Sequence, residues 1–186
     1  MARKKTFTQE ELYQATRDLM LAVGYDGFSF QELSKSLNVS RTALYKHYAN
    51  KADLLRAYLN QQMEEIVERL ETTEWPQDYF EKLSHLMDLV LAYADTHRIA
   101  QMVPAQQWLT GADGQQSKAL HDRFFSFLQA MIEEGQAEGF LDPELPALLM
   151  VEILFHSITL PNRSGLSANE RAYYLKRMLL DGIVKR

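Results

Sequence analysis

The chain has 186 residues and no cysteine, which excludes disulfides, thiolate metal sites and cysteine nucleophiles. The length suffices for one sizeable core, or for a small module plus a medium one. The net charge of −5 is unevenly divided: residues 1–60 hold nine basic and six acidic side chains, and the remainder holds eleven and nineteen. A basic N-terminal part on an acidic body is typical of a chain that meets nucleic-acid phosphate at one end.

No apolar run reaches membrane-spanning length, and no signal-peptide pattern follows the basic start MARKK. We therefore expect a cytoplasmic protein that does not engage a membrane. The first predicted element is a helix that follows a capping box, because Thr8 stands three residues before Glu11. Its apolar stripe ends at Gly24.

Two short helices with a tight turn between them are predicted next. Ser29, three residues before Glu32, marks the start of the first short helix. Asn38 lies where the chain must turn, and asparagine tolerates the left-handed conformation better than most side chains. Ser40 caps the second short helix, whose polar and basic residues 41–47 suit the DNA major groove. The pattern predicts a helix-turn-helix.

Asn50 is expected to cap a long helix that runs from Lys51 to about residue 71 and spans about 30 Å. The rest of the chain also follows helical periodicity. The further predicted helices are Tyr79–Thr96, a segment from about Arg98 that Pro104 interrupts, Ser117–Glu138, a helix opened by Asp142 and Pro143, and Ala168–Val184. The predicted fold class is all-α.

The run LYKHYANK at residues 44–51 closely resembles the signature of the TetR family of bacterial transcriptional regulators. The segments GYDGFS and NVSRTALY match the same family in order and spacing, so the resemblance covers about the first 60 residues. It implies an N-terminal three-helix helix-turn-helix DNA-binding domain, residues 1–50. The long helix would link this domain to a C-terminal helical ligand-binding and dimerisation domain, residues 51–186.

A DNA-binding surface follows from this resemblance and from the residue types. The family's tyrosine that matches Tyr45 touches the DNA backbone, and its lysine that matches Lys51 binds a phosphate. Lys51 also lies in the first turn of its helix, where a cation opposes the helix dipole, which hints at an anionic partner. Arginine suits guanine and the threonine methyl suits thymine at base edges. The predicted DNA-binding residues are Ser29, Ser40, Arg41, Thr42, Tyr45, Lys46, His47 and Lys51.

The C-terminal part of the sequence predicts a ligand pocket, but it does not separate the residues that line the pocket from those of the core. Methionine and aromatic side chains line adaptable pockets, although they also fill ordinary helical cores. A small apolar or amphipathic effector is therefore favoured over a metal. The candidate ligand-binding residues are Met87, Leu91, Tyr93, Met102, Gln106, Trp108, Phe124, Phe127, Met131, Phe155 and His156.

Neither a metal, a cofactor nor an enzyme activity is expected. The five histidines are scattered along the chain, and no nucleophile elbow, phosphate-binding glycine loop or H-E-x-x-H motif occurs. Paired acids such as Glu64 and Glu65 read as solvated helix faces.

A homodimer is predicted because one helix-turn-helix reads few base pairs and a two-fold dimer doubles the site. The apolar run within 145–160, together with 168–184, would form the interface; an intramolecular core is the alternative. The predicted function is a ligand-released homodimeric repressor that binds a palindromic double-stranded DNA operator. The alternatives are an activator, a corepressor-dependent regulator, or a helical ligand carrier or interaction module that does not bind DNA.

Overall fold

The computed structural model describes residues 7–104, 114–160 and 163–183. These ranges contain nine helices and no β-strand, in agreement with the predicted all-α class. The helices are α1 (Gln9–Gly27), α2 (Phe30–Ser36), α3 (Arg41–Tyr45), α4 (Lys51–Thr72), α5 (Tyr79–Ala92), α6 (Ala94–Met102), α7 (Gly114–Ala137), α8 (Ala147–Thr159) and α9 (Ala168–Ile183).

The start and the break of the first helix are both local features of the sequence. The Thr8 hydroxyl accepts the Glu11 N–H at 3.1 Å, and the Glu11 carboxylate accepts the Thr8 N–H at 2.8 Å, so the predicted capping box is complete. Gly24 has φ +69°, which leaves the helical region as predicted. One more turn follows before α1 ends at Gly27.

The prediction of a single helix over Tyr79–Thr96 is wrong, because two helices cover these residues. The chain leaves the helical conformation at Tyr93 (φ −101°, ψ +16°), which ends α5. A new helix, α6, begins at Ala94 and includes Arg98, where the sequence had placed its start. The break carries no glycine or proline, so no local sequence signal marks it.

The prediction that Asp142 and Pro143 open a helix is also wrong. The Asp142 carboxylate accepts the Glu144 N–H at 3.0 Å and closes a turn instead. Helix α8 begins only at Ala147, after Pro146. Because a residue before proline is disfavoured in the helical region, Pro146 prevents a helix from running through residue 145.

The chain forms two compact units. The N-terminal unit comprises the residues up to Glu65 together with Asp95–Leu120, and the C-terminal unit comprises Ile66–Ala94 together with the residues from His121 onward. The predicted division into functional domains 1–50 and 51–186 stays a prediction, since these units are defined by packing alone.

Helix α6 contributes to the core of the N-terminal unit. The core side chains come from α1 to α4 and also from the end of the α6 segment, and each is almost fully buried. Among them are Leu12, Leu33, Leu44, Leu54, Leu55, Ile99 and Val103.

The core of the C-terminal unit includes a close approach of a tyrosine ring to α7. Tyr79 is buried, its hydroxyl donates to the Met131 carbonyl at 3.2 Å, and its ring stacks on Phe140 with centroids 5.1 Å apart. Gly135 lies against this ring, and a Cβ atom at that position would stand 2.1 Å from the Tyr79 hydroxyl. The absence of a side chain at Gly135 therefore permits the packing.

Candidate nucleic-acid interface

Local hydrogen bonds build the helix-turn-helix that the sequence predicts. The Ser29 hydroxyl accepts the Glu32 N–H and caps α2, and the Ser40 hydroxyl accepts the Ala43 N–H and caps α3, each at 3.3 Å. Between them Asn38 has φ +53°, the left-handed conformation expected of it. The buried Leu44 anchors α3 to the core.

Most of the predicted DNA-contacting side chains lie exposed on or beside α3. They are Arg41, Thr42, Tyr45, Lys46 and His47, together with the cap Ser40. Ser29 and Lys51 are only half-buried, not exposed. The structure thus brings six of the eight predicted residues to the surface of one short segment.

Tyr45 is held in place while most of it stays accessible. Its side chain is 55% exposed, and its ring packs edge-on against the buried Phe30, with centroids 4.9 Å apart. A phenol supported in this way has a fixed ring and an accessible surface, as a DNA contact needs.

One ring contact and one hydrogen bond between hydroxyl groups support the neighbouring residues. The exposed His47 ring lies 5.3 Å from the Phe7 ring. Tyr48 is half-buried, and its hydroxyl lies 3.1 Å from the Tyr13 hydroxyl. Burial raises the pKa of Tyr48 well above its ordinary value. These contacts make Tyr48 a packing residue.

Lys51 has internal partners that sequence reasoning missed. Its ammonium group donates to the Tyr25 carbonyl at 2.8 Å and to the Phe28 carbonyl at 3.4 Å. It also lies 4.1 Å from the centroid of the Tyr25 ring, a cation–π contact. The absence of any basic residue from the last turn of α1 was the available signal that another element supplies one.

The start of α4 is capped as predicted. The Asn50 side-chain oxygen accepts the Asp53 N–H at 3.0 Å. The Asn50 amide also donates to the Asp53 carboxylate at 2.8 Å. Arg56 pairs with the same carboxylate at 2.7 Å.

An ion pair that the sequence did not indicate joins α1 to α6. Arg17 contacts the Asp95 carboxylate at 2.7 Å, and the hydrogen bond to Asp95 raises the pKa of Arg17. Arg98 also contacts Asp95 at 3.5 Å. The pair joins residues 78 positions apart, so no local pattern could reveal it.

The predicted ligand-binding residues are divided between the two units. Met102 packs against the core of the N-terminal unit. In the C-terminal unit, Met87, Phe124 and Met131 are buried, Leu91, Tyr93, Phe127 and Phe155 are half-buried, and His156 is exposed. The Phe124 and Phe155 rings lie 5.8 Å apart. Gln106 and Trp108 lie outside the described residues.

No helix in residues 7–104, 114–160 and 163–183 is both long and apolar enough to cross a membrane. Over the same ranges, no three histidine, aspartate or glutamate side chains are grouped as a metal site would require.

The sequence matches the bacterial regulatory proteins of the tetR family over residues 12–58. A relative along most of the chain is the HTH-type transcriptional regulator YezE of Bacillus subtilis strain 168, itself uncharacterised. The two are 28% identical over 159 residues, which cover 80% of this chain and 81% of YezE.

Two solved structures have a similar fold. AibR, in complex with isovaleryl coenzyme A and operator DNA, has a TM-score of 0.74 and 19% identity over 92% of this chain and 97% of AibR. FadR from Bacillus subtilis, in complex with stearoyl-CoA, has a TM-score of 0.68 and 17% identity over 95% of this chain and 100% of FadR. YezE and FadR are described as transcriptional regulators, and the matched family is one of bacterial regulatory proteins. Over residues 12–58 the chain is similar to the TetR family of bacterial transcriptional regulators, and the helix-turn-helix described above lies within this match.

Proposed function

We propose that this regulator is a homodimeric repressor that binds a palindromic operator and is released by a small amphipathic effector. The observation that carries the proposal is the exposed polar and basic surface of residues 41–47, supported on a capped helix-turn-helix. The cytoplasmic location expected from the sequence belongs to the same proposal, since a bacterial regulator meets its operator there.

Exposed apolar side chains on α8 and α9 support dimerisation. Leu148 and Ile153 are each 50% exposed, and Tyr173 and Met178 are 59% and 71% exposed. Other residues of α8 face the unit's own core, because Met150, Val151 and Leu154 are buried. Apolar patches of this kind on a soluble chain mark interaction surfaces. A second copy of the chain is the proposed occupant.

A two-fold dimer would present two copies of α3 to one face of the duplex. Half-sites about one helical turn apart, or a multiple of it, would then match the dimer's symmetry. The exposed Arg41, Thr42 and Lys46 are the proposed base-reading residues, and Tyr45 and His47 are proposed to contact the backbone. The serine caps Ser29 and Ser40 are proposed to approach phosphate as well, since helix N-termini attract anions.

An acyl-CoA thioester is the effector class that we propose to test first. AibR and FadR, which share the fold, were solved with isovaleryl and stearoyl thioesters of coenzyme A. Such a ligand is amphipathic, in keeping with the methionine and aromatic side chains of the C-terminal unit. Met87, Phe124, Met131 and Phe155 are the proposed lining residues.

Release of DNA would follow from a tilt of α4, the long helix that has residues in both units. Ile99 and Val103 share a core with Leu54 and Leu55 of α4, and Asp95 pairs with Arg17 of α1. A ligand that tilts α4 must therefore disturb packing that supports the helix-turn-helix. To convert mostly bound protein to mostly free protein, the ligand must prefer the released state by about 10⁴-fold, roughly 5.5 kcal/mol.

Selection of bound fragments from a random duplex DNA pool tests this function on the ligand-free protein. Enrichment of one palindrome is the expected result and supplies an operator for effector screening. Acyl-CoA thioesters of increasing chain length would then be titrated into the protein–operator complex, with free coenzyme A as the control. A ligand that increases DNA affinity would identify a corepressor-dependent regulator instead. Enrichment of no sequence, with or without ligand, would contradict the repressor proposal.

A further inference from the structure

A surface groove lies between α1 and the end of α2 in the N-terminal unit. Its volume is about 720 Å³, and α1 supplies most of its lining. The floor of the groove is apolar, because Phe7, Ala15, Leu19 and Leu37 line it and also pack against the unit's core. The groove lies outside the proposed DNA-binding residues 41–47, and the proposed function does not use it.

The rim of the groove is acidic. Glu10, Glu11 and Asp18 line it and are exposed, and the described residues of the lining include no base. Glu11 is engaged in the capping box, since its carboxylate accepts the Thr8 N–H. The Asp18 carboxylate accepts the Gln14 amide at 2.9 Å, a donor that carries no charge. Carboxylates above an apolar floor suit a cationic segment whose side chains have apolar stems.

The chain itself supplies a segment of this kind. Residues 1–6, MARKKT, hold the three cations Arg3, Lys4 and Lys5 and no acidic residue. They directly precede Phe7, which is part of the groove's lining. The segment is therefore joined to the groove, and its binding there is intramolecular, which gives it a high effective concentration.

The segment is long enough to follow the acidic rim. From Phe7 back to Ala2 the chain reaches at most about 17 Å. Along α1, Asp18 lies about 12 Å from Glu10, because the helix rises about 1.5 Å per residue. The three basic side chains can therefore reach the carboxylates at both ends of the rim.

Phe7 also lies at the edge of the proposed DNA-binding surface. Its ring is 5.3 Å from the ring of the exposed His47, which is proposed to contact the DNA backbone. Residues 1–6 thus start between two anionic sites, the acidic groove and the DNA phosphates. Their three cations cannot occupy both sites at once.

We propose that the groove is the docking site of residues 1–6 of the same chain, whose Arg3, Lys4 and Lys5 lie along the acidic rim in the DNA-free protein. Their aliphatic stems cover the apolar floor. The docked segment is withheld from the duplex, so the groove lowers the affinity for DNA of any sequence. Only this effect on affinity rests on the chain binding DNA, because the docking is a property of the free protein.

Paramagnetic relaxation measures the docking in the DNA-free protein. The chain has no cysteine, so Ala2→Cys provides a single attachment point for a nitroxide label. Docking predicts that the backbone amide signals of Asp18 and Leu37, at the groove, lose most of their intensity and regain it when the label is reduced. Signals that keep their full intensity would overturn the proposal, because the segment would then point away from the groove.

Neutralising the rim tests whether charge holds the segment. The double variant Glu10→Gln, Asp18→Asn should restore the two amide signals, and so should high salt, which screens exposed charges. The matched control is Asp26→Asn, Glu68→Gln, which removes the same charge from exposed carboxylates outside the groove's described lining and should leave the signal loss unchanged. Signal loss that survives in the rim variant would overturn the proposal.

A mixed sample identifies which copy supplies the segment. Spin-labelled protein without isotopes is mixed with isotope-labelled protein that carries no nitroxide. The proposal predicts full amide intensity at the groove in this mixture, because each groove holds the segment of its own chain. Signal loss in the mixture would assign the groove to a second copy and overturn the proposal.

Binding to a short duplex of random sequence measures the effect on DNA affinity. The rim variant should bind severalfold more tightly than the wild type. Since removal of negative charge near DNA also raises affinity, the comparison is repeated in the background Arg3→Gln, Lys4→Gln, Lys5→Gln, where the gain should disappear. An equal gain in both backgrounds, or no gain in the wild-type background, would overturn the withholding of the segment. Failure of every variant to bind any duplex would contradict the regulator function, and the relaxation experiment would still decide the docking.

Discussion

Single residues of the helix-turn-helix combine packing with accessibility. Tyr45 shows this combination, since the edge of its ring rests on the buried Phe30 while 55% of the side chain remains exposed. The ring therefore contributes to packing, and the hydroxyl is the group that we propose to contact DNA. The two contributions can be separated by substitution.

Tyr45→Phe should weaken operator binding without a change in Tm. The substitution keeps the contact with Phe30 and removes only the hydroxyl. A hydrogen bond to a charged phosphate contributes about 1.5 kcal/mol per monomer, or roughly tenfold in affinity. Fluorescence anisotropy with the selected operator measures the affinity, and thermal unfolding measures Tm. Wild-type affinity in the Tyr45→Phe variant would remove the hydroxyl from the interface.

His97 should make the stability of the protein sensitive to mild acid. The residue is 3% exposed, and burial lowers the pKa of His97 from its ordinary 6.5 to about 4. Between these values the unfolded chain binds a proton that the folded protein excludes, so stability is full above pH 6.5 and falls as the pH drops toward 4. The loss between pH 7 and pH 5 is about 2 kcal/mol.

Chemical denaturation at several pH values measures this effect. His97→Gln cannot take up the proton, so its unfolding free energy should fall by about 2 kcal/mol less than that of the wild type between pH 7 and pH 5. If the unfolding free energies of the two proteins fall equally between pH 7 and pH 5, His97 takes up a proton in the folded protein as readily as in the unfolded chain.

The residues that sequence reasoning placed correctly depend on local chemistry. Thr8, Ser29, Ser40 and Asn50 all cap helices, because a side-chain oxygen reaches an N–H three residues along the chain. The internal partners of Lys51 and the Arg17–Asp95 pair were missed because they join elements distant in sequence. No spacing rule encodes such contacts.

At the scale of the helices, the predicted boundaries were wrong where tertiary packing, or a residue further along the chain, determines the backbone conformation. The break at Tyr93 separates α5 from α6 without a glycine or proline. Pro146, rather than the Asp142–Pro143 pair, sets the start of α8. The break at Gly24 was predictable, since glycine takes a positive φ at little cost.

The packing of α7 on Tyr79 gives a prediction about stability. Alanine in place of glycine ordinarily stabilises a helix by about 1 kcal/mol. At Gly135, however, the new Cβ would overlap the Tyr79 ring, so Gly135→Ala should destabilise the protein by about 1–3 kcal/mol. Urea unfolding measures the change.

The Tyr79→Leu background provides the control for this effect. Without the ring, the alanine at position 135 has no aromatic atom to meet. Its cost should then disappear, and the helix preference for alanine should reappear. A cost that persists in this background would locate the strain elsewhere in α7.

At the scale of the whole molecule, the exposed faces of α8 and α9 give a prediction about assembly. A charge at Ile153 and at Met178 would have to be buried in the proposed interface, which is costly for an unpaired carboxylate. The double variant Ile153→Glu, Met178→Glu should therefore sediment as a monomer in analytical ultracentrifugation. Its affinity for the palindromic operator should fall to that of a single half-site.

Val23→Glu is the matched control, because Val23 is also exposed (46%) but lies on α1. It should leave the sedimentation coefficient unchanged. A dimer that survives both charges on α8 and α9 would exclude these helices as the interface. A wild-type protein that is itself monomeric would contradict the dimer proposal directly.

The DNA-binding motif was more predictable than the candidate ligand site. A short motif with fixed spacing, LYKHYANK, identifies the DNA-binding fold, because α3 and the start of α4 must meet in one geometry. The candidate pocket residues carry no such pattern. Met102, for instance, is as apolar and soft as Met87 or Met131, yet it packs in the N-terminal unit.

The contribution of Ile99 and Val103 to the N-terminal core has a consequence for chimaeras between such regulators. A DNA-reading module cut from the chain after α4 would lack two of its own buried side chains and the Asp95 partner of Arg17. Chimaeras that graft one regulator's operator specificity onto another's sensing half should therefore transfer residues 95–103 with the module, or redesign the surface beneath them. Recombination points that respect only sequence order would divide a single hydrophobic core between two parents.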